Sequence, residues 1–401
     1  MEDIKRLVVQ RADGAQRRGH VRRQWCNRSV HRRGQAVSDR GHERFGRRPV
    51  AGAENPNLVS LHPHRTGKVE DLLLHSAGDG EAVRTHHPDS QHGDYGTRMS
   101  IDKNFRPALS VVATATKRQA MLDIAVEAEN RGFSGIACPS LGGTMGLCVS
   151  LAHVTHSINY WTSIQPIYYS HPVEAANTCS HINEMSGGRF RYGIGVSHGP
   201  VTSRLGVETG KPLTDIRNYV AAMRANEKFG WALPPIYLAT LRNKMLELAT
   251  EISEGAIWAN ASLSHVAPQL SEVPAARKEG FFLSNMIPTV IDEDRDAARA
   301  VNRKTLTGYV SLPNYRNYWR AAGYVEEMDA IENAINAGER DKVTTLMSDK
   351  WLDDCTISGS ASFARDRLAE WAASGVHPIA VMSSTSGGQA KAIGELFAAY
   401  N

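Results

Sequence analysis

From residue 107 onward, short apolar runs alternate with segments of helical period, and no other feature of the chain narrows its fold as far. The runs at 108–113, 135–138, 160–167, 190–196, 235–239, 256–259, 281–290 and 378–382 have the length of buried strands. The third is rich in β-branched and aromatic residues. Amphipathic stretches lie between them. In 117–131, Met121, Ile124, Ala125 and Ala128 share a face, and Gly132 ends the segment. A second helix is read over 145–156. Pro172, at a favoured first-turn position, opens another that runs to Met185 and stops at Ser186-Gly187-Gly188. Thr214 is placed to cap a helix reaching about 228. Met245, Leu248, Ala249 and Ile252 mark the next, with Gly255 as its stop. Helices over 362–374 and 389–400 follow, the last with Ile393, Leu396, Phe397 and Tyr400 on one face.

Strands that alternate with helices through short connections form a parallel sheet, because each parallel return needs a crossover. Eight of them favour a closed (β/α)8 TIM barrel over an open doubly wound sheet. The segment 292–360 is mainly helical, rich in Tyr and Trp, and surplus to a minimal barrel; it reads as a helical insertion between strands seven and eight. A barrel of this kind carries its site at the C-terminal ends of the strands. That directs attention to 140–143, 163–171, 197–204, 240–244, 260–264 and 383–388. The stretch 197–213 reads as a loop long enough to suggest function.

The first 98 residues are different text. They hold 16 Arg but 2 Lys, 9 of the 16 His, and 18 basic against 12 acidic residues, a net charge of +6. The remainder carries 28 basic and 30 acidic residues, so the basic character of the chain belongs to its first quarter. Leu, Ile, Val and Phe number 17 of 98 there, too few for a core, and neither helical nor strand period is sustained. A basic nucleic-acid arm and a targeting peptide are two readings; interspersed acidic residues weaken the second. The third fits best: a disordered extension, or translated sequence upstream of the true start at Met99. The domain division expected is thus an extension over 1–98 and a barrel over 99–401, with no nucleic-acid partner. No run approaches the roughly 18 apolar residues a membrane span needs, and the five scattered cysteines show no metal-ligand spacing. Reduced thiols, no metal site, no membrane partner and a cytoplasmic location are expected.

The strand ends carry recognisable text. Ser170-His171-Pro172-Val173-Glu174-Ala175-Ala176 is followed by Met185-Ser186-Gly187-Gly188-Arg189-Phe190 and by Gly193-Ile194-Gly195-Val196-Ser197-His198-Gly199-Pro200. Pro235-Ile236-Tyr237-Leu238-Ala239, Lys244-Met245, Glu254-Gly255-Ala256, Ile357-Ser358-Gly359-Ser360 and Gly375-Val376 come in the same order. Over about 106–400 the chain resembles the bacterial luciferase-like superfamily, within it most closely the coenzyme F420-dependent oxidoreductases. Residues 1–98 match nothing in that family.

The resemblance implies a deazaflavin or flavin at the open end of the barrel. Its ring would rest on a bulge after the third strand that often contains a cis peptide bond not preceding proline; Ser163-Ile164 stands there. From the residues alone that pair is equally an ordinary strand interior. Gly195 and Ser197 would bring backbone against the ring, although glycines in strands also serve packing. His198 would contact cofactor or substrate, or act as an acid, the structural alternative being an imidazole satisfied by backbone. Ala239, Thr240, Leu241, Arg242 and Asn243 would cradle the cofactor phosphate at a helix N-terminus; the alternative is a solvated basic cap, and a P-loop is excluded by the absence of its motif. Many relatives have Asp or Glu followed by His after the second strand, where this chain has Pro139-Ser140-Leu141-Gly142-Gly143. A common acid/base or ring contact is then missing or replaced by Ser140. Tyr168 and Tyr169 would line the substrate pocket or serve packing, and 315–324 would be a lid or a face packed on the barrel.

The function implied is an F420-dependent oxidoreductase that moves a hydride between the deazaflavin and a small organic substrate. An FMN-dependent monooxygenase is the alternative within the family. A catalytically inactive barrel acting as a binding protein is the alternative outside enzymes. A homodimer is a further expectation.

Overall fold

The computed structural model describes residues 105–112 and 114–401; the expectations for 1–98 lie outside them. The strands are β1 (Ala108–Ser110), β2 (Gly135–Cys138), β3 (Tyr160–Thr162), β4 (Gln165–Pro166), β5 (Phe190–Gly195), β6 (Ile236–Ala239), β7 (Gly255–Ala259), β8 (Phe282–Ile291), β9 (Ile357–Gly359) and β10 (His377–Ser383). Eight of them run parallel in the order β10-β1-β2-β3-β5-β6-β7-β8, and β8 pairs with β10 from Ser284↔His377 to Val290↔Ser383. That last pairing closes the sheet into the expected barrel. Two short strands are additions. β4 pairs with β5 at Gln165↔Ile194 and Pro166↔Gly195. β9 pairs with β8 at Thr289↔Ile357, beyond the Met286↔Ala259 pair where β7 ends.

The helices are α1 (Arg118–Asn130), α2 (Thr144–Val154), α3 (Pro172–Met185), α4 (Gly199–Leu205), α5 (Pro212–Arg224), α6 (Asn243–Ile252), α7 (Leu263–Glu272), α8 (Arg295–Val310), α9 (Pro313–Ala321), α10 (Val325–Asn336), α11 (Asp349–Cys355), α12 (Ala361–Ala373) and α13 (Gln389–Ala399). Between β8 and β10, α8 to α11 form the helical insertion, and β9 with α12 leads back to the barrel.

Local details depart from the sequence reading. The third apolar run is two strands, because the chain steps sideways through a cis Ser163–Ile164 peptide between β3 and β4. The stretch 197–213 is not one loop: it holds α4, ended by Gly206 at φ 64°. α5 begins at Pro212, before Thr214; the fixed φ of proline suits the first turn. Gly255 stops no helix. α6 ends at Ile252 with Ser253 extended, and Gly255 opens β7, where a Cβ would stand 2.6 Å from the Phe282 carbonyl oxygen. α7 escapes a periodicity reading because Pro268 interrupts it.

Alternate strand residues face the two sides of the barrel wall. Ala108, Ala137, Trp161, Tyr237, Ile257 and Ile379 pack inside it, joined by Ile164, Phe282 and Met286. Their neighbours Leu109, Ile136, Tyr160, Leu238 and Ala380 pack outward in the larger core under the helices. The interior is graded along the barrel axis. Near the N-terminal ends of the strands, Trp161, Phe282, His377 and Tyr237 form an aromatic plug, with Tyr237 stacked on Phe282 at 4.9 Å. Towards the C-terminal ends, Ala239, Ala259, Met286 and Val381 are only half-buried. The barrel is filled below and leaves a shallow cup above.

Candidate active site

The cup is lined by residues at the C-terminal ends of neighbouring strands. Gly195 ends β5 so near its neighbours that a Cβ there would stand 2.8 Å from Ala239 Cβ and 3.1 Å from Ile164 Cδ1. The bulge, β5 and β6 therefore meet at one point. Beside it are Ser163, 5% exposed, and Thr240, 3% exposed. Ser110, at the end of β1, is buried as well. The side-chain hydroxyls of all three lack a hydrogen-bond partner among the described residues. Buried polar groups are nearly always paired, so a group of unpaired ones calls for a molecule to pair them. A polar, ring-shaped cofactor lying on the bulge fits this set.

Where β6 turns into α6, the Thr240 amide is used by the Ile257 carbonyl at 2.9 Å. The Met245 and Leu246 amides bond back to the Arg242 carbonyl, which leaves the earlier amides of the turn to look outward, at the positive end of the helix. Arg242 and Lys244 are exposed there. The Asn243 side chain is engaged elsewhere: its amide donates to Glu272, and its oxygen accepts from Gln269 at 3.2 Å. Only the Asn243 backbone remains for an anion. The same Gln269 amide donates to the Leu241 carbonyl at 2.9 Å and fixes the turn.

Ser197 stands in the left-handed region at φ 64°, uncommon for a residue other than glycine. It swings His198 to the N-cap of α4, where the His198 carbonyl accepts from Val201 and Thr202. The imidazole is half-buried against Tyr315, 5.8 Å away between ring centres, and Tyr309, 6.5 Å away. Burial holds its pKa below the ordinary imidazole value, so the ring is neutral near pH 7 and offers one donor and one acceptor.

The aromatic wall comes from the insertion. Tyr315, Tyr318 and Trp319 of α9 are buried. Trp319 Nε1 donates to the Asn260 carbonyl at 3.1 Å, and the Tyr318 hydroxyl accepts from the Ser262 amide at 3.1 Å. The block 315–324 is thus a face packed on the end of β7. Tyr168 is turned towards α5 rather than the cup. The Tyr168 hydroxyl donates to Asp215 at 2.5 Å, and its ring lines a separate cleft of about 350 Å3 with Ile167, Pro172 and Tyr219. Tyr169 is 42% exposed. Ser140 is half-buried at the start of a loop whose Gly142 and Gly143 take positive φ. A larger cleft of about 690 Å3 lies at the opposite end of the barrel, under α5 and α6, where its charges pair with one another as Arg217–Glu251 and Arg224–Glu254. Among the described residues no group of His, Cys, Asp and Glu is arranged to hold a metal.

Three residues at the cup were missed by sequence reasoning. Ser110 carried a signal, as a hydroxyl in register with inward-facing Ala108. Asn260 sat in a strand-end segment but in no motif. Tyr309 had no signal, because nothing local says where an insertion folds back.

A (β/α)8 barrel with unpaired polar groups gathered at the strand C-terminal ends has the architecture of the barrel enzymes. Residues 104–378 match the luciferase-like monooxygenase family, and the chain belongs to it. It is 26% identical over 274 residues to the 5,10-methylenetetrahydromethanopterin reductase of Archaeoglobus fulgidus, covering 61% of this chain and 82% of the relative. It is likewise 26% identical over 283 residues to a Mycobacterium tuberculosis protein named as a coenzyme F420-dependent oxidoreductase, covering 58% and 81%. Among solved structures, the coenzyme F420-dependent tetrahydromethanopterin reductase of Methanopyrus kandleri shares the fold, with a TM-score of 0.59 at 18% identity over 74% of this chain and 99% of that one.

Proposed function

We propose that this protein is an F420-dependent oxidoreductase that exchanges a hydride with a small organic substrate. The observation that carries the reading is the pair of buried, unpartnered hydroxyls of Ser163 and Thr240 flanking the cis Ser163–Ile164 bulge and Gly195. The relatives named for F420 support it. The deazaflavin, when bound, supplies the hydride chemistry. Ser163 and Thr240 would hold it by hydrogen bonds, and Gly195 with Ala239 would let it approach the backbone. The outward amides of the β6–α6 turn, with Arg242, would hold its phosphate. His198, neutral and beside the cup, holds or accepts a proton at its free ring nitrogen. Tyr309 and Tyr315 exclude water on that side.

The family description favours a second reading, an FMN-dependent monooxygenase built on the same cup. Titration of the full chain and of the fragment 99–401 with F420 and FMN, each oxidised and reduced, separates them. Micromolar or tighter F420 binding with weak FMN binding is expected, equal in both proteins. Preference for FMN moves the assignment to the monooxygenases; binding of neither favours a non-enzymatic barrel and makes the changed Ser140 loop the main fact. Among the described residues no helix is long and apolar enough to cross a membrane. We place the protein in the cytoplasm, as a homodimer, with an organic substrate rather than a nucleic acid.

A further inference from the structure

Gln269, on α7, is 2% exposed. Its Nε2 spends both hydrogens on the β6–α6 turn, donating to the Leu241 carbonyl at 2.9 Å and to Asn243 Oδ1 at 3.2 Å. At the end of the same helix, Glu272 accepts from the Asn243 side-chain amide. α7 is itself tied down at its start, where the Ser264 amide and hydroxyl both donate to the Asp354 carboxylate. A fixed helix thus grips a turn 28 residues earlier in the chain. A leucine or methionine would fill the same space without the cost of burying an amide, so packing alone does not account for a glutamine here.

The grip decides which way the amides of the turn face. A trans peptide is planar, with its C=O and N–H pointing in opposite directions. Holding the Leu241 carbonyl against Gln269 therefore turns the Arg242 amide away from α7. The Arg242 carbonyl is directed into α6 by the Met245 and Leu246 amides, which turns the Asn243 amide outward in the same way. Neither amide has an acceptor among the described residues. Without Gln269, the Leu241–Arg242 peptide is free to turn over and to present a carbonyl oxygen where an anion would sit. We propose that Gln269 is a positioning residue: by fixing the Leu241–Arg242 peptide it orients the amides that receive the cofactor phosphate. This deepens the proposed function and rests on it for the identity of the anion, but the orientation of the turn is a property of the chain itself.

The test compares two ligands of the full chain by fluorescence titration: F420, and the deazariboflavin that shares its ring and ribityl chain but lacks the phosphate. The wild type is expected to prefer F420 by at least about tenfold, the weight of charge-assisted hydrogen bonds. Gln269→Met removes the donor at similar volume. It is expected to cut that preference about fivefold, with affinity for the phosphate-free ring unchanged. An equal loss for both ligands would mean that Gln269 only supports the fold, and an unchanged preference that the turn keeps its orientation without it; either overturns the proposal. If Gln269→Met does not fold, Asn243→Ala, which removes the other tie between the turn and α7, takes its place: a loss of about twofold in preference is expected, and no loss overturns the proposal. If neither ligand binds the wild type, the proposed function fails, and inorganic phosphate decides the rest. NMR shifts of the Arg242 to Lys244 amides on phosphate titration that weaken in the variant sustain the orienting role; no shift in the wild type overturns it.

Discussion

His198 is the side chain whose chemistry the fold alters most directly. In the unfolded chain it would titrate near the ordinary imidazole value of about 6.5; burial against Tyr315 lowers it. If the neutral ring is required, kcat/KM holds steady as the pH is brought down through 6.5 and falls only at a lower pH. An inflection at or above 6.5 contradicts this. His198→Asn is expected to lower kcat/KM about 100-fold, the usual weight of a positioned acid or base, with cofactor affinity little changed in a titration. Thr240 makes the opposite kind of statement. Its hydroxyl is buried and unpaired without a ligand, so Thr240→Val should stabilise the cofactor-free protein by about 1 kcal/mol and weaken cofactor binding about fivefold. Urea unfolding and the cofactor titration read the two effects separately. A loss of stability would mean the hydroxyl is already satisfied.

The contact between β3 and β5 shows why a glycine that looks like one half of a weak motif cannot be exchanged. Thr162 Oγ1 donates to the Gly193 carbonyl at 2.6 Å, and a Cβ on Gly193 would stand 1.9 Å from the Thr162 carbonyl oxygen. The strand must therefore stay bare for the chain to step through the Ser163–Ile164 bulge. Gly193→Ala is expected to cost more than the roughly 3 kcal/mol at the upper end of ordinary overpacking. Gly199→Ala, at the start of α4 with nothing within 4 Å of its Cβ, should change stability by less than about 0.5 kcal/mol. Urea midpoints of the two variants decide it; equal midpoints would sink the argument. Most elements were legible because their signals are local: Pro172 starts α3, and Ser186 to Gly188 end it. The errors fell where a tertiary contact outranked a local signal. Gly255 resembles a helix stop but is spent on the approach of β8 to β7.

The barrel as a whole is closed at its lower end by the aromatic plug, and His377 is part of it. Its ring lies 5.4 Å from Phe282 and bonds to the Ser134 hydroxyl at 2.8 Å. Burial brings its pKa down to about 4. The folded protein refuses a proton that the unfolded chain accepts below about pH 6.5. The associated stability is therefore complete above that pH and is lost as pH falls towards 4, to a total of about 3 kcal/mol at 1.36 kcal/mol per pKa unit. His377→Gln should flatten this part of the pH–stability curve between pH 6.5 and 4, measured by urea unfolding; an unchanged slope would show that the ring is protonated in the folded state.

The succession of strands and helices, the barrel class and the place of His198 at a strand end follow from the order of residues, because hydrophobic period, proline starts and glycine stops act over a few neighbours. The family text around Ser170 to Pro200 is likewise local. Convergence is different in kind. Ser163, Gly195 and Ala239 meet because β5 pairs with β4 on one side and with β6 on the other, strands that are far apart along the chain. Tyr168 leaves the cup because Asp215, on another helix, takes its hydroxyl. Tyr309 and Tyr315 stand beside His198 because Trp319 and Tyr318 anchor the insertion on the end of β7. Contacts of that range depend on which surfaces remain to be buried once the barrel has closed, and no window of sequence contains that information.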